Sequence, residues 1–194
     1  RLSRRDFLAG GGGAAAAALA GASGLRAAEP APGAVSRVVL VRRKDVLRED
    51  GQPEPEVLRS MLNDAVAALL GVEPAAAWRR LVAPRDVVGI KSNAWYQLPT
   101  PRSLEAAIQS RLLQVGVKKE NVSADDRGVL SNPVFQRATA LINTRPMRTH
   151  YWSGLGTLLK NYIMFTPRPS DYHDNACENL GAIWLFPQVK GKTR

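Results

Sequence analysis

The stretch MRTHYWSGLGTLLKN, Met147–Asn161, holds Arg148, His150, Lys160 and Asn161 around a Gly154-Leu155-Gly156 turn. The chain has two histidines, and this segment contains one of them. Arginine and lysine hold a carboxylate or phosphate, and arginine's fork does so through paired hydrogen bonds. A histidine titrates near neutrality and serves as acid, base or metal ligand. The glycines could cradle a phosphate in backbone N–H groups with Lys160 behind them, although neither a Walker loop nor a dinucleotide fingerprint is present. The bland alternative is a loop leading into a helix whose Leu155, Leu158 and Leu159 pack inward. Tyr151 and Trp152 then read as pocket walls.

A second group follows. His173 and the single cysteine, Cys177, stand four residues apart, which places both on one face if the segment is helical. Imidazole and thiolate are good ligands for zinc or iron. A metal ion is thus the cofactor this pair would take, with Asp171, Asp174 or Glu178 completing the ligand set. The alternative is a buried thiol behaving as a small apolar side chain. One cysteine forms no intrachain disulfide.

These residues must be positioned by the elements around them. Val35–Val41 is β-branched and apolar and predicts a buried strand. A helical repeat of apolar residues runs from Val57 to Leu70 and Gly71 ends it. Pro74–Leu81 reads as a short helix and Asp86–Lys91 as a second buried strand. Thr100 and Pro101 read as the cap and first residue of a helix that reaches Gly116 through Leu104, Ala107, Ile108 and Leu112. Asn121–Asp125 is a strand, Pro133–Thr139 a short helix and Ala140–Asn143 a strand. Alternation of this kind predicts an α/β fold of three layers, a mostly parallel sheet with flanking helices. Ligands of such sheets bind at the strands' carboxyl ends. There the sequence supplies Lys91-Ser92-Asn93, Asp125-Asp126-Arg127 and Asn143-Thr144-Arg145, the last leading to Arg148 and His150. The free N–H groups of the helix opening at Thr100 would join them and suit an anion.

Of 194 residues, 45% are hydrophobic and 23% charged, so a core and essentially one domain are expected. The net charge is +10, of which residues 1–28 contribute +3 through Arg1, Arg4, Arg5 and Arg26 against Asp6. A basic surplus attracts anions. No Lys/Arg block interleaved with aromatics marks specific nucleic-acid binding.

Residues 1–28 read as an export signal and 29–34 as a linker, with the folded domain at 35–194. A basic start, an Ala/Gly-rich run from Phe7 to Ala22 and small residues before a Pro/Gly linker make the pattern. Cleavage fits after Ala22 or near Ala28. The apolar run is too short for a membrane span, so none is expected once the signal is removed. Ser3-Arg4-Arg5-Asp6-Phe7-Leu8 resembles the twin-arginine translocation motif. That resemblance implies the twin-arginine translocase as a partner during export and a periplasmic or otherwise extracytoplasmic destination. Substrates of that route cross folded, often with a cofactor already inserted.

"VVGIKSN" (87–93), "TPRSLEAAI" (100–108), "INTRPMRTH" (142–150) and "GLGTLLKNYIMF" (154–165) together resemble domain-of-unknown-function family 362 over roughly residues 35–194. The family pattern pairs an Ile-Lys-x-Asn strand end with a Lys-x-His segment and a Lys-Asn helix. Lys91, Asn93, His150, Lys160 and Asn161 match it, and Arg148 stands where lysine is usual. The resemblance implies a bacterial or archaeal protein of unassigned biochemistry. Some members carry a ferredoxin-like iron–sulfur module, but one cysteine excludes an intrachain four-cysteine cluster here. Members tend to be longer, so a further C-terminal part is expected. The expected function is an exported protein, enzyme-like, that binds an anionic small molecule or a metal or redox cofactor at the sheet's carboxyl edge. His150, Lys160 and Lys91 are expected to be catalytic, Asn93, Arg148 and Asn161 to bind substrate, and His173 and Cys177 to hold metal. The alternative is a non-catalytic exported binding or accessory protein of a redox system.

Overall fold

The computed structural model describes residues 36–194, and the compact unit within it runs Val38–Arg194. The signal segment, the linker and Val35 lie outside the described residues.

The first helix, α1 (Pro55–Leu70), starts at a proline whose fixed φ suits the first turn. It stops at Gly71, which takes a left-handed φ of 67° and returns its N–H to Ala67 O. Helix α2 (Pro74–Leu81) is capped by Glu73, whose carboxylate accepts the N–H groups of Ala75 and Ala76. Strand β1 (Val88–Lys91) follows, then α3 (Arg102–Val115), β2 (Val122–Asp125), α4 (Pro133–Gln136) and β3 (Ala140–Asn143). The sheet order is β2-β1-β3 with both pairings parallel, and Lys91 lies between Asp125 and Asn143. All three strands therefore end at one edge.

Alternation along the strands separates two cores. Val88, Ile90 and Ala140 pack with Trp78, Val82, Ile108 and Leu112 beneath the first three helices. Leu141, on the other face, joins Phe135, Tyr162, Phe165 and Ile183. Helices, sheet and this second layer make an α/β fold of three layers. Gly89 is required by the second core, because a Cβ there would stand 2.8 Å from the Phe135 ring. Among the described residues, no helix is long and apolar enough to cross a membrane.

After β3 the chain forms a hairpin, β4 (Arg148–His150) paired antiparallel with β5 (Gly154–Gly156). A single turn, α5 (Leu158–Asn161), and a series of 3-10 turns to Leu185 follow. Near the last residue, Thr193 makes an isolated parallel bridge to Leu141 on the β3 edge.

Three expectations are corrected. Residues 36–41 form no strand: Val38 is 86% and Leu40 73% exposed. A β-branched run needs a neighbouring strand to satisfy its backbone, and none of the described residues offers one. Gly154-Leu155-Gly156 is a hairpin strand whose backbone faces β4, and Leu155, Leu158 and Leu159 are exposed, so neither the phosphate cradle nor the inward-packing helix entry describes it. Residues 174–177 do not form a regular right-handed turn: Asn175, Ala176 and Cys177 take φ of 46°, 57° and 66°. Left-handed conformations cost a non-glycine residue roughly 1–2 kcal/mol, and they cancel the i, i+4 face assumed for His173 and Cys177.

Candidate functional site

The floor of the strand-end region is a polar weave centred on Asn161. Its Nδ2 faces Ser92 O (3.1 Å), Thr144 O (3.1 Å) and Asn143 Oδ1 (2.8 Å), with Lys91 O slightly farther at 3.3 Å. Its Oδ1 accepts from Asn93 Nδ2 at 3.2 Å and from Lys91 Nζ at 3.4 Å. Lys91, 0% exposed, forms an ion pair with Asp126 and donates to Ser92 O at 2.6 Å. Burial lowers the Lys91 pKa, with Asp126 acting in the opposite direction. The other Asp126 oxygen accepts the Ala94 N–H at 2.7 Å. Thr100 does not cap α3. Its Oγ1 accepts from Asn93 N and donates to Thr144 O, tying the β1 and β3 ends together.

Lys91, Asn93 and Asn161 are thus brought together as predicted, in one hydrogen-bonded floor. Each is at least nine-tenths buried and directs its polar atoms at backbone, at the others, or at Asp126 and Asn143; among the described residues Asn93 Oδ1 alone of these is buried without a partner. The cleft beside the α3 N-terminus, about 820 Å³, is lined by Glu105, Asp125 and Asp126 as well as Arg48 and Arg102. Its acidic lining weakens the case for an anion there.

A different cluster gathers cations. Arg145, Arg148, His150, Lys160 and His173 all lie close enough to influence one another. Burial, then the Arg148 charge, pushes the Arg145 pKa down to about 10, and burial also lowers Arg148. Asp126 is the carboxylate that acts on both. Among the described residues neither arginine has a carboxylate within ion-pair reach, and the Nε atoms of both are buried without partners. Arg148 lies over the Trp95 ring, 3.8 Å from its centroid. The Arg145 guanidinium occupies the space that a side chain at Gly156 would fill, 2.8 Å from an added Cβ.

Lys160 is buried, and its Nζ lies 2.9 Å from His173 Nε2. His173 Nδ1 is 3.3 Å from Ser170 O. A carbonyl only accepts, so Nδ1 carries the hydrogen and Nε2 accepts from the lysine. Burial pushes the Lys160 pKa down to about 8; Cys177 opposes this, while Arg145 and Arg148 add to it. Burial, followed by Lys160 and the two arginines, pushes His150 down to about 4, so it is neutral at physiological pH. His150 stacks on His173 with ring centroids 6.0 Å apart, and Trp152 meets His173 edge-on at 4.6 Å. Tyr151 is 92% exposed and forms no wall.

The predicted pairing of His173 with Cys177 as metal ligands does not form. His173 directs Nε2 at Lys160, and Cys177 Sγ lies 3.9 Å from the His173 carbonyl oxygen. Among the described residues, no group of three or more His, Cys, Asp or Glu side chains is placed to hold a metal ion.

Sequence reasoning therefore selected Arg148, His150 and Lys160, which do converge, and placed Arg145 and Asp126 at the strand ends without assigning either a role. Both stand one or two residues beyond a strand end, and that position was the available signal. Compared with known protein families, with curated proteins and with solved structures, the chain finds no match in any of the three.

Proposed function

We propose that this protein binds a small anion, a carboxylate or phosphate group, in the cation cluster of Arg145, Arg148 and Lys160 beside the sheet's carboxyl edge. One observation carries the reading: two neighbouring arginines have buried, unpartnered Nε atoms and, among the described residues, no carboxylate within ion-pair reach. Packing like charges together with only Asp126 acting from beyond ion-pair reach is unfavourable, and a bound anion relieves it. Arg148, braced on Trp95, and Arg145, braced against Gly156, would present their donors to the ligand. His150, neutral, and Lys160, poised near neutrality, are groups able to move a proton on it. This supports an enzyme-like role over that of an accessory protein. The twin-arginine-like opening and the motifs that resemble family 362 extend the proposal to an exported protein of that kind.

Titration calorimetry with sulfate and with phosphate tests the reading. A charge-assisted hydrogen bond contributes about 1.5–3 kcal/mol, so Arg145→Met and Arg148→Met should each weaken binding roughly 10- to 100-fold. Arg102→Met, in the acidic cleft, should leave it unchanged. Sulfate and phosphate heats that the two arginine variants do not alter would overturn the assignment.

A further inference from the structure

Lys160 differs from the other buried lysine. Lys91 has a carboxylate partner, whereas Lys160 has none among the described residues, and its amine instead faces a ring nitrogen held as an acceptor by Ser170. The positive charges of Arg145 and Arg148 also act on this ammonium, opposed by Cys177. Lysines made nucleophilic in proteins share this environment: desolvated, next to other cations, without an acid to hold the proton.

We infer that Lys160 is a nucleophile that forms an imine with the aldehyde or ketone of a small oxo acid, whose anionic group Arg145 and Arg148 hold. The inference rests on the anion site proposed above and adds the reacting group. The Lys160 nitrogen attacks the carbonyl carbon, a C–N bond forms, and the carbonyl π pair passes to oxygen. His173 Nε2 accepts a proton from the nitrogen and returns it to that oxygen. The second amine proton follows the same path as the C–O bond breaks and water leaves, so no oxidant or reductant is needed. Both protons on water come from the amine, and C=N replaces C=O. Burial of the amine restricts the ligand to a small one. Trp152, in the hairpin turn and 53% exposed, meets His173 on the open side of the site. His173 acts here as a positioning and proton-carrying residue.

The test uses the whole chain, glyoxylate as probe and cyanoborohydride to reduce any imine to a stable secondary amine. Peptide mapping by mass spectrometry should place one adduct on Lys160, suppressed by excess sulfate, and leave Lys91 unmodified. The rate of labelling should rise as pH passes through about 8. His173→Gln should slow labelling at least tenfold while sulfate still binds. Modification confined to exposed lysines such as Lys44, Lys118 and Lys190, with Lys160 untouched, overturns the inference. If sulfate heats persist in that case, the anion site stands without the nucleophile; if they vanish too, both readings fall. Because the mapping is done on the unaltered protein, the outcome does not depend on any variant folding.

Discussion

Asp126→Asn removes one charge from the carboxyl edge of the sheet and keeps the shape of the side chain. Lys91 has no exposed surface, so its ammonium would be left without a countercharge, held only by Ser92 O at 2.6 Å and Asn161 Oδ1 at 3.4 Å. Breaking a buried ion pair from one side costs about 3–5 kcal/mol, against a total stability of roughly 5–15 kcal/mol for a domain. Lys91→Met should cost less, about 1–3 kcal/mol, because Asp126 keeps the Ala94 N–H. The double variant should lie closer to Lys91→Met than to the sum of the single losses, since neither charge remains to be stranded. Urea unfolding followed by fluorescence of the 4 tryptophans reads this directly as a lower midpoint with an unchanged slope. The deficit should also depend on pH. Burial already lowers the folded pKa of Lys91, and Asp126 is the largest influence raising it. Without Asp126 the folded protein releases that proton at lower pH than the unfolded chain does. The unfolded state then binds more protons, so the stability of Asp126→Asn climbs with pH until the ordinary lysine value is reached. An Asp126→Asn variant within about 1 kcal/mol of the parent at pH 7, or a deficit that does not shrink on raising the pH, would refute the account of this floor.

Thr100→Val should destabilise by about 1–2 kcal/mol in the same assay, because Asn93 N–H and Thr144 O each lose a buried partner. Gly89→Ala should cost about 1–3 kcal/mol through overlap with Phe135, whose ring atoms would lie 2.8 and 2.9 Å from the new methyl. Sulfate affinity, measured by calorimetry, should fall as pH rises through about 8, where Lys160 gives up its proton, and Lys160→Met should flatten that profile. For stability the sign is the reverse: between about 8 and the ordinary lysine value the unfolded chain carries the extra proton, so the contribution of Lys160 rises with pH. His150→Gln should leave the pH dependence of sulfate binding between 6 and 8 unaltered, since His150 is already neutral there.

Much of the scaffold was legible locally. The apolar period from Val57 to Leu70 with Gly71 behind it defined α1, Pro74 opened α2, and Ala140–Asn143 matched β3 residue for residue. These features are written in φ/ψ preferences and in a period of 3.6 or 2, which need no knowledge of distant residues. Parallel pairing followed from the alternation of strands and helices, and with it the edge at which polar groups would meet. What each of those groups does there was decided by contacts between residues far apart in the chain. Asn161 lies within hydrogen-bond reach of Ser92 and Thr144, so its side chain staples the ends of two strands. Lys91 met Asp126, whereas Lys160, among the described residues, met the His173 ring nitrogen and no carboxylate. Arg145 gained its place only because Gly156, eleven residues later, leaves room for its guanidinium. Val35–Val41 had the composition of a strand, but its described residues find no partner among the described residues, and His173 and Cys177 had the spacing of a helix pair across a backbone that turns left-handed. Sequence fixes what a residue can do through its own chemistry and its near neighbours. Burial and countercharge depend on the three-dimensional neighbours, and these distinguish Lys91, paired with Asp126, from Lys160, which faces His173.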